Sequence, residues 1–180
     1  RILNLIGTIY IDAVRGVPLL VLAFFIYFGL PQGIKALGFT NFRLTALQAG
    51  VIALSMNCGA YMAEIIRAGI ESVDKGQMEA ARSLGLPYGT SMRRVVLPQA
   101  IRTMIPSIIN QFIITLKDTS ILSSIGFPEL TNTGKTVASN TMNLIGTWAV
   151  IALFYLVVIT ILSKLAKYME RRIKRGTEKY

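Results

Sequence analysis

Long apolar segments divide this chain and restrict what it can fold into. Residues 19–30 read LLVLAFFIYFGL, and a longer run covers residues 144–165. A helix needs about 20 mainly apolar residues to cross a bilayer. Only 16% of the residues are charged and 53% are hydrophobic, whereas a typical soluble domain is about 25% charged. The sequence therefore predicts an all-α, polytopic membrane protein, since the period-two alternation of a membrane barrel is missing.

The apolar segments predict four spanning helices and the connections between them. The spans are predicted at residues 19–30, 42–66, 103–125 and 144–165. We expect Pro31 to end the first span, because proline has no backbone N–H to continue a helix. An amphipathic helix at residues 1–15 is predicted at the membrane interface. Residues 32–41 and 126–143 are predicted as polar connections.

The distribution of Lys and Arg predicts the orientation. Six lie at residues 67–102, seven lie in the tail from Lys164 onward, and two lie in the N-terminal segment. Basic residues beside spans favour the cytoplasmic side. Both ends of the chain, the 67–102 connection and a basic tail at 166–180 are therefore expected in the cytoplasm. The net charge of +10 then reports topology, and we expect no nucleic-acid partner.

Several chemistries are disfavoured by the residues themselves. The chain has no His and one Cys, Cys58, inside an apolar window. Cys58 is expected to be a small packing residue, and no metal site is expected. No G-x-x-x-x-G-K-[ST] phosphate loop occurs, so we expect no ATP binding and no catalytic activity in this chain.

The connection at residues 67–102 contains an unusual polar stretch, residues 79–98, which we call the elbow. Two short helices are predicted, at residues 78–84 and 88–96, separated by Gly85, Leu86 and Pro87. Glycine permits a helix to reverse direction and proline suits the first turn of the next helix. The sequence alone leaves open whether the elbow lies on lipid headgroups or docks on another protein.

Polar residues inside predicted spans are expected to face a cavity or a partner. Asn57, Tyr61 and Glu64 share one face of the second span, and Gln111, Thr115 and Asp118 share one face of the third. Local alternatives remain open: a Glu64–Arg67 ion pair, mutual neutralisation or an inter-subunit salt bridge for Lys117 and Asp118, and hydroxyls bonded to their own helix.

The elbow and its flanks resemble a known family. Glu79-Ala80-Ala81, then Gly85, then Val95-Val96-Leu97-Pro98 resembles the EAA motif of ATP-binding cassette (ABC) importer permeases. Val95 stands where the family has Ile. The runs IDAVRGVPLLVLAFFIYFGLP and AYMAEIIRAGIESVDKGQ are similar to the polar amino-acid uptake subfamily. The resemblance covers essentially residues 1–180 as one permease domain of the type I importer fold, whose usual first helix is missing from this sequence.

The resemblance implies a function and a set of partners. The chain is expected to form the path for a polar amino acid across a bacterial inner membrane. ATP and Mg²⁺ would be bound by a separate ATPase subunit. A second permease copy or homologue and an extracytoplasmic solute-binding protein are also implied. The residues implied to couple to the ATPase are Glu79, Ala80, Ala81, Gly85, Leu97 and Pro98.

Within this picture the intramembrane polar residues become substrate candidates. Asp118 suits an ammonium group, and Thr119 and Ser120 suit a carboxylate. Asn57, Tyr61 and Lys117 complete the predicted site. Glutamine, glutamate, cystine and basic amino acids all remain compatible. An ion-coupled carrier or channel, in which Lys117, Asp118 and Glu64 serve as coupling groups, is the alternative, and a membrane scaffold is a weaker one.

Overall fold

A computed structural model describes residues 2–39 and 41–175, with side chains described as far as residue 171. Within these ranges the chain is helical and contains no strand, which confirms the predicted class. The α-helices are α1 (Ile2–Gly16), α2 (Leu19–Phe24), α3 (Leu30–Ala36), α4 (Ala46–Glu71), α5 (Lys75–Ser83), α6 (Tyr88–Ser91), α7 (Leu97–Asp118), α8 (Leu130–Thr141) and α9 (Leu144–Arg175). π-Helical turns at Phe25–Gly29 and Met92–Val96 join α2 to α3 and α6 to α7, and a 3₁₀ helix, Thr119–Ile125, follows α7.

The prediction that Pro31 ends the first span is wrong. A continuous helical path runs from Leu19 to Ala36. Proline lacks the N–H that would bond four residues back. The π-helical turn just before it shifts the bonding pattern, and the N–H of Leu30 donates to the carbonyl of Phe25, five residues back. The helix therefore passes the proline without breaking.

The other helix ends also differ from the predicted ones. α4 begins at Ala46 rather than residue 42, because Thr45 and Gln48 form a reciprocal capping box: Thr45 Oγ1 accepts from Gln48 N at 3.2 Å, and Gln48 Oε1 accepts from Thr45 N at 2.9 Å. α4 continues to Glu71, and the helix predicted from Thr103 begins as early as Tyr88. The polar connection at 126–143 contains α8, which the sequence did not predict.

Small residues on one face of α4 form the centre of the packing. Ala49, Ala53 and Ala60 are completely buried, and they recur at helical spacing along this face. Small side chains let helices approach closely in a membrane protein. The face packs against α1, α2 and the 3₁₀ helix, with α7 lying along α4. The resulting core includes Leu22, Ile26, Leu122 and Ile125.

Among the described residues, three helical stretches are long and apolar enough to cross a membrane: residues 19–36, 46–71 and 144–171. α9 presents exposed apolar side chains such as Leu153, Phe154 and Ile161, as a lipid-facing helix would. α7 overlaps the predicted third span, residues 103–125, but it is not among these three apolar stretches. Its polar residues, including Gln111 and Asp118, face a cavity instead of lipid. The final five residues of the predicted basic tail, 176–180, lie outside the described part of the chain.

Candidate functional site

A cavity of about 490 Å³ lies where α1, α4 and α7 meet. Its polar wall combines side chains from all three helices. The apolar wall comes from the turn before α2 and from α7 and the 3₁₀ helix. The lining residues are Arg15, Gly16, Val17, Pro18, Leu19, Asn57, Tyr61, Gln111, Ile114, Asp118 and Ile121.

The two predicted polar faces meet in this cavity. Asn57 and Tyr61 lie one turn apart on α4, and Gln111 and Asp118 lie two turns apart on α7. Asn57 and Gln111 are buried, and Gln111 Nε2 lies 3.5 Å from Thr115 Oγ1. The structure thus brings together three of the six residues predicted to bind substrate, Asn57, Tyr61 and Asp118.

Asp118 is available to a ligand. Within the described residues it forms no ion pair closer than 4.0 Å, not even with the neighbouring Lys117. Lys117 is exposed and does not line the cavity. An acid on the cavity wall that lacks such a partner suits a cationic group of a substrate.

Thr119 and Ser120 lie beside the cavity but bond to their own helix. Thr119 Oγ1 donates to the carbonyl of Leu116 at 2.7 Å, and Ser120 Oγ donates to the carbonyl of Lys117 at 2.7 Å. Both bonds reach three residues back, at the point where α7 passes into the 3₁₀ helix. In this conformation neither side chain lines the cavity.

Arg15 is a cavity residue that sequence reasoning did not nominate. It lies in the last turn of α1, directly before the Gly16–Pro18 break, and its guanidinium carbon lies 5.4 Å from the centroid of the Tyr61 ring. This distance is within cation–π range. A basic residue immediately before a Gly-x-Pro break and an apolar run was the available signal.

Glu64 lies outside the cavity wall and forms the ion pair that was left open as an alternative. Its carboxylate pairs with Arg67, and its Oε2 also lies 3.3 Å from Arg15 Nη1. Arg67 pairs in turn with Glu71 at 3.2 Å. A chain of alternating charges therefore runs from the cavity edge to the end of α4.

The elbow has the break that the sequence predicted. Asp74 caps α5, since its Oδ1 accepts from Gly76 N at 2.7 Å. Gly85 has φ of +84°, a left-handed conformation that favours glycine. The next helix begins after Pro87. The completely buried Ser91 donates through Oγ to the carbonyl of Pro87 at 3.2 Å, which fixes the start of this helix.

The residues predicted to couple to an ATPase divide into two groups. Glu79, Ala80, Gly85 and Pro98 are exposed and Leu97 is half-buried. Ala81 is only 4% exposed, so it packs inside the elbow and does not offer a surface. Leu84, 84% exposed, and Tyr88 add apolar area beside Gly85.

A second groove, of about 450 Å³, lies between α8 and α9. Its wall consists of apolar, hydroxyl and amide side chains, among them Val137, Phe154 and Thr133. No charged residue lines it, so it lacks the groups that would hold a charged polar substrate. The charged cavity at Asp118 is the stronger candidate site.

The apolar helices, the charged internal cavity and the exposed helical elbow define the membrane subunit of a transport system. The chain belongs to the family of binding-protein-dependent transport system inner membrane components, which its sequence matches over residues 1–175. It is therefore a membrane permease of the ABC importer class, in which ATP is hydrolysed by a separate subunit. The ion-coupled alternative is not favoured.

Named relatives and a solved structure agree with this family. The chain is 42% identical over 174 residues to the probable glutamine ABC transporter permease protein GlnM of Bacillus subtilis, covering 97% of this chain and 77% of the relative. It is 38% identical over 169 residues to the arginine transport system permease protein ArtQ of the same organism, covering 94% and 74%. A crystal structure of an amino acid ABC transporter with histidines superimposes with a TM-score of 0.86 at 44% identity, covering 93% of this chain and 75% of that one.

Proposed function

We propose that the cavity between α1, α4 and α7 binds a polar amino acid on its way across the membrane. The main support is that polar residues from two different helices line one cavity: Asn57, Tyr61, Gln111 and Asp118. Relatives that transport glutamine and arginine, by their names, support a polar amino acid as the substrate class.

Each polar residue has a role suited to its chemistry. Asp118 accepts hydrogen bonds from the substrate ammonium group, in the charge-assisted manner that carboxylates favour. Asn57, Gln111 and the Tyr61 hydroxyl bond to a polar side chain or orient it. Lys117, Thr119 and Ser120 are not assigned a direct substrate contact here, because their side chains do not line the cavity.

The elbow is the proposed contact with the ATPase subunit. Glu79 and Gly85 lie on its exposed side together with Ala80, and the apolar Leu84 lies beside them. The elbow lies in the connection between α4 and α7, the helices that carry Asn57 and Asp118. A displacement of the elbow therefore moves both polar walls of the cavity. ATP and Mg²⁺ bind on the partner subunit in this proposal.

The proposed transporter contains this permease, a second permease, an ATPase subunit and a solute-binding protein. A second permease copy or a homologous permease completes the path, since the spanning helices described in one chain are few for a complete pathway. A solute-binding protein delivers substrate on the outer side. The N-terminus, the elbow and the C-terminal tail lie on the cytoplasmic side of a bacterial inner membrane, in accordance with the excess of basic residues there.

Uptake of labelled amino acids by proteoliposomes that contain the assembled transporter tests this function. L-glutamine and L-arginine are the first probes, followed by a competition panel of the other amino acids. Asp118→Asn is expected to abolish most uptake while the permease still co-purifies with its ATPase. Uptake by the Asp118→Asn transporter at the wild-type rate contradicts the site, and failure of the wild type to take up any amino acid contradicts the function.

A further inference from the structure

Arg15 stands between two possible partners. It lines the cavity together with Asp118, and on its other side its Nη1 lies 3.3 Å from Glu64 Oε2. The Arg15 side chain is 36% exposed to solvent, and the Glu64 side chain is 25% exposed. The Arg15 side chain is therefore only partly buried, at the edge of the cavity.

The cavity presents one cation and one anion, Arg15 and Asp118. A free amino acid carries one carboxylate and one ammonium group. A guanidinium presents a planar fork of N–H donors that matches a carboxylate in two parallel hydrogen bonds. The other lining groups are neutral, so Arg15 is the charged donor on this wall that can neutralise a substrate carboxylate.

Glu64 can release Arg15 without becoming an unpaired charge. Arg67 holds the same carboxylate at both oxygens, through Nε at 3.2 Å from Oε2 and through Nη2 at Oε1. Removing one partner of an isolated buried pair is costly because the other charge is left uncompensated. Here the second arginine remains in place, which lowers the cost of an exchange.

We propose that Arg15 binds the substrate carboxylate and that it leaves Glu64 to do so. This inference rests on the amino-acid function proposed above and adds a specificity-determining residue to it. The ion pair between α1 and α4 opens when the substrate enters. Glu64 then pairs with Arg67 alone, and the Glu64–Arg67–Glu71 series ends three residues before Asp74, the cap of the first elbow helix. Occupancy of the cavity thereby changes the ion pairing of Glu64 on α4.

The test compares amino acids with their α-amides, which have the same side chain and ammonium group but no carboxylate. Binding is measured on the purified permease–ATPase complex in lipid nanodiscs, without the solute-binding protein, because that protein would impose its own selection. The probes are L-glutamine with L-glutaminamide and L-arginine with L-argininamide. The measured quantity is the ratio of the amide Kd to the amino-acid Kd.

Wild-type complex is expected to prefer the amino acid by about tenfold, which corresponds to about 1.4 kcal/mol. Arg15→Gln is expected to reduce the ratio to about one, and Arg15→Lys to give an intermediate ratio because the charge remains without the fork. Asp118→Asn weakens binding of both ligands and keeps the ratio. Arg43→Gln, at an exposed position off the cavity, is the matched control and keeps the wild-type values.

Glu64→Gln tests the exchange itself and does not depend on the folding of Arg15 variants. Release of Arg15 from the carboxylate is expected to tighten amino-acid binding several-fold and to leave amide binding unchanged. Equal loss of both ligands in Arg15→Gln, with an unchanged ratio, would mean a structural role and overturns the proposal. Unchanged amino-acid binding in Glu64→Gln overturns the exchange. A wild-type complex that binds no amino acid overturns the proposed function as well.

Discussion

Gly69 on α4 lies directly against Met104 on α7. A Cβ atom built at Gly69 would lie 2.9 Å from Met104 Cβ and 3.0 Å from Met104 Cε. Real Cβ atoms are almost never so close to another carbon, and the contact involves the base of the methionine side chain as well as its tip. The two helices that carry the cavity walls therefore meet without space for one more methyl group at the end nearer the elbow.

Gly69→Ala is expected to destabilise the permease by about 1 to 2 kcal/mol, because overpacking forces neighbouring helices apart. The thermal unfolding midpoint of the purified protein in detergent should fall. Gly33→Ala is the matched control, since Gly33 lies in α3 with no atom within 4 Å of an added Cβ, and there alanine should have a neutral or stabilising effect. Equal midpoints for the two variants would contradict the close contact.

Gly85→Ala should disturb the elbow. The φ of +84° costs a residue with a Cβ about 1 kcal/mol in the left-handed region, so the reversal between α5 and α6 shifts. Recovery of the ATPase subunit by pull-down with the tagged permease is expected to fall several-fold. Gly89→Ala, one turn further at a helical position with open space around it, should recover the ATPase like wild type. Full recovery with Gly85→Ala would argue against docking at this reversal.

Tyr155 on α9 forms a hydrogen bond to Glu129, the residue that caps the start of α8. Its hydroxyl donates to Glu129 Oε2 at 3.0 Å and lies 3.3 Å from Thr131 Oγ1, while Glu129 also caps α8 by accepting from Thr131 N at 2.8 Å. Tyr155→Phe should cost about 1.5 to 3 kcal/mol, the range for a hydrogen bond to a charged group.

Chemical unfolding of the purified permease measures this loss. Tyr168→Phe on the same helix is the control, because Tyr168 is 60% exposed and its hydroxyl can bond to water. A Tyr155→Phe variant as stable as the Tyr168→Phe variant would show that the Glu129 contact contributes nothing.

Gln99 connects the beginning of α7 to α5, the helix that leads into the elbow. Its Nε2 donates to Gln77 Oε1 at 3.2 Å and to its own helix at Val95. Gln77→Ala and Gln99→Ala should each lower substrate-stimulated ATP hydrolysis. Because they break the same bond, the double variant should lose little more than either single variant. Independent, additive losses would mean that the two glutamines do not act through this bond.

The sequence predicted those features that depend on local pattern. The apolar runs identified three of the four predicted spans as helices long and apolar enough to cross a membrane, and Gly85 with Pro87 located the reversal in the elbow. Helical spacing correctly placed Asn57 beside Tyr61 and Gln111 beside Asp118, because residues three, four and seven apart share a face in any regular helix.

Features that depend on tertiary contacts were missed. α8 is rich in Thr and Asn, and the contact that stabilises it is tertiary: Gly134 and Ala138 are buried, and Gly134 packs against Ile151 of α9. Arg15 joins the cavity only because α1 packs on α4, where Tyr10 Oη donates to the carbonyl of Met56 at 2.8 Å. Neither contact between distant residues leaves a periodic signal in the sequence.

The most direct test of the central claim is uptake by proteoliposomes that contain the complete transporter, with ATP supplied or withheld and with proton and sodium gradients collapsed by ionophores. Labelled L-glutamine and L-arginine are the probes, and Glu79→Lys, at an exposed position of the elbow, is the variant expected to uncouple transport from ATP hydrolysis. We predict uptake that requires ATP hydrolysis, persists without ion gradients, and is lost in Glu79→Lys while the cavity still binds amino acid. Uptake that continues without ATP and follows an ion gradient would contradict the account.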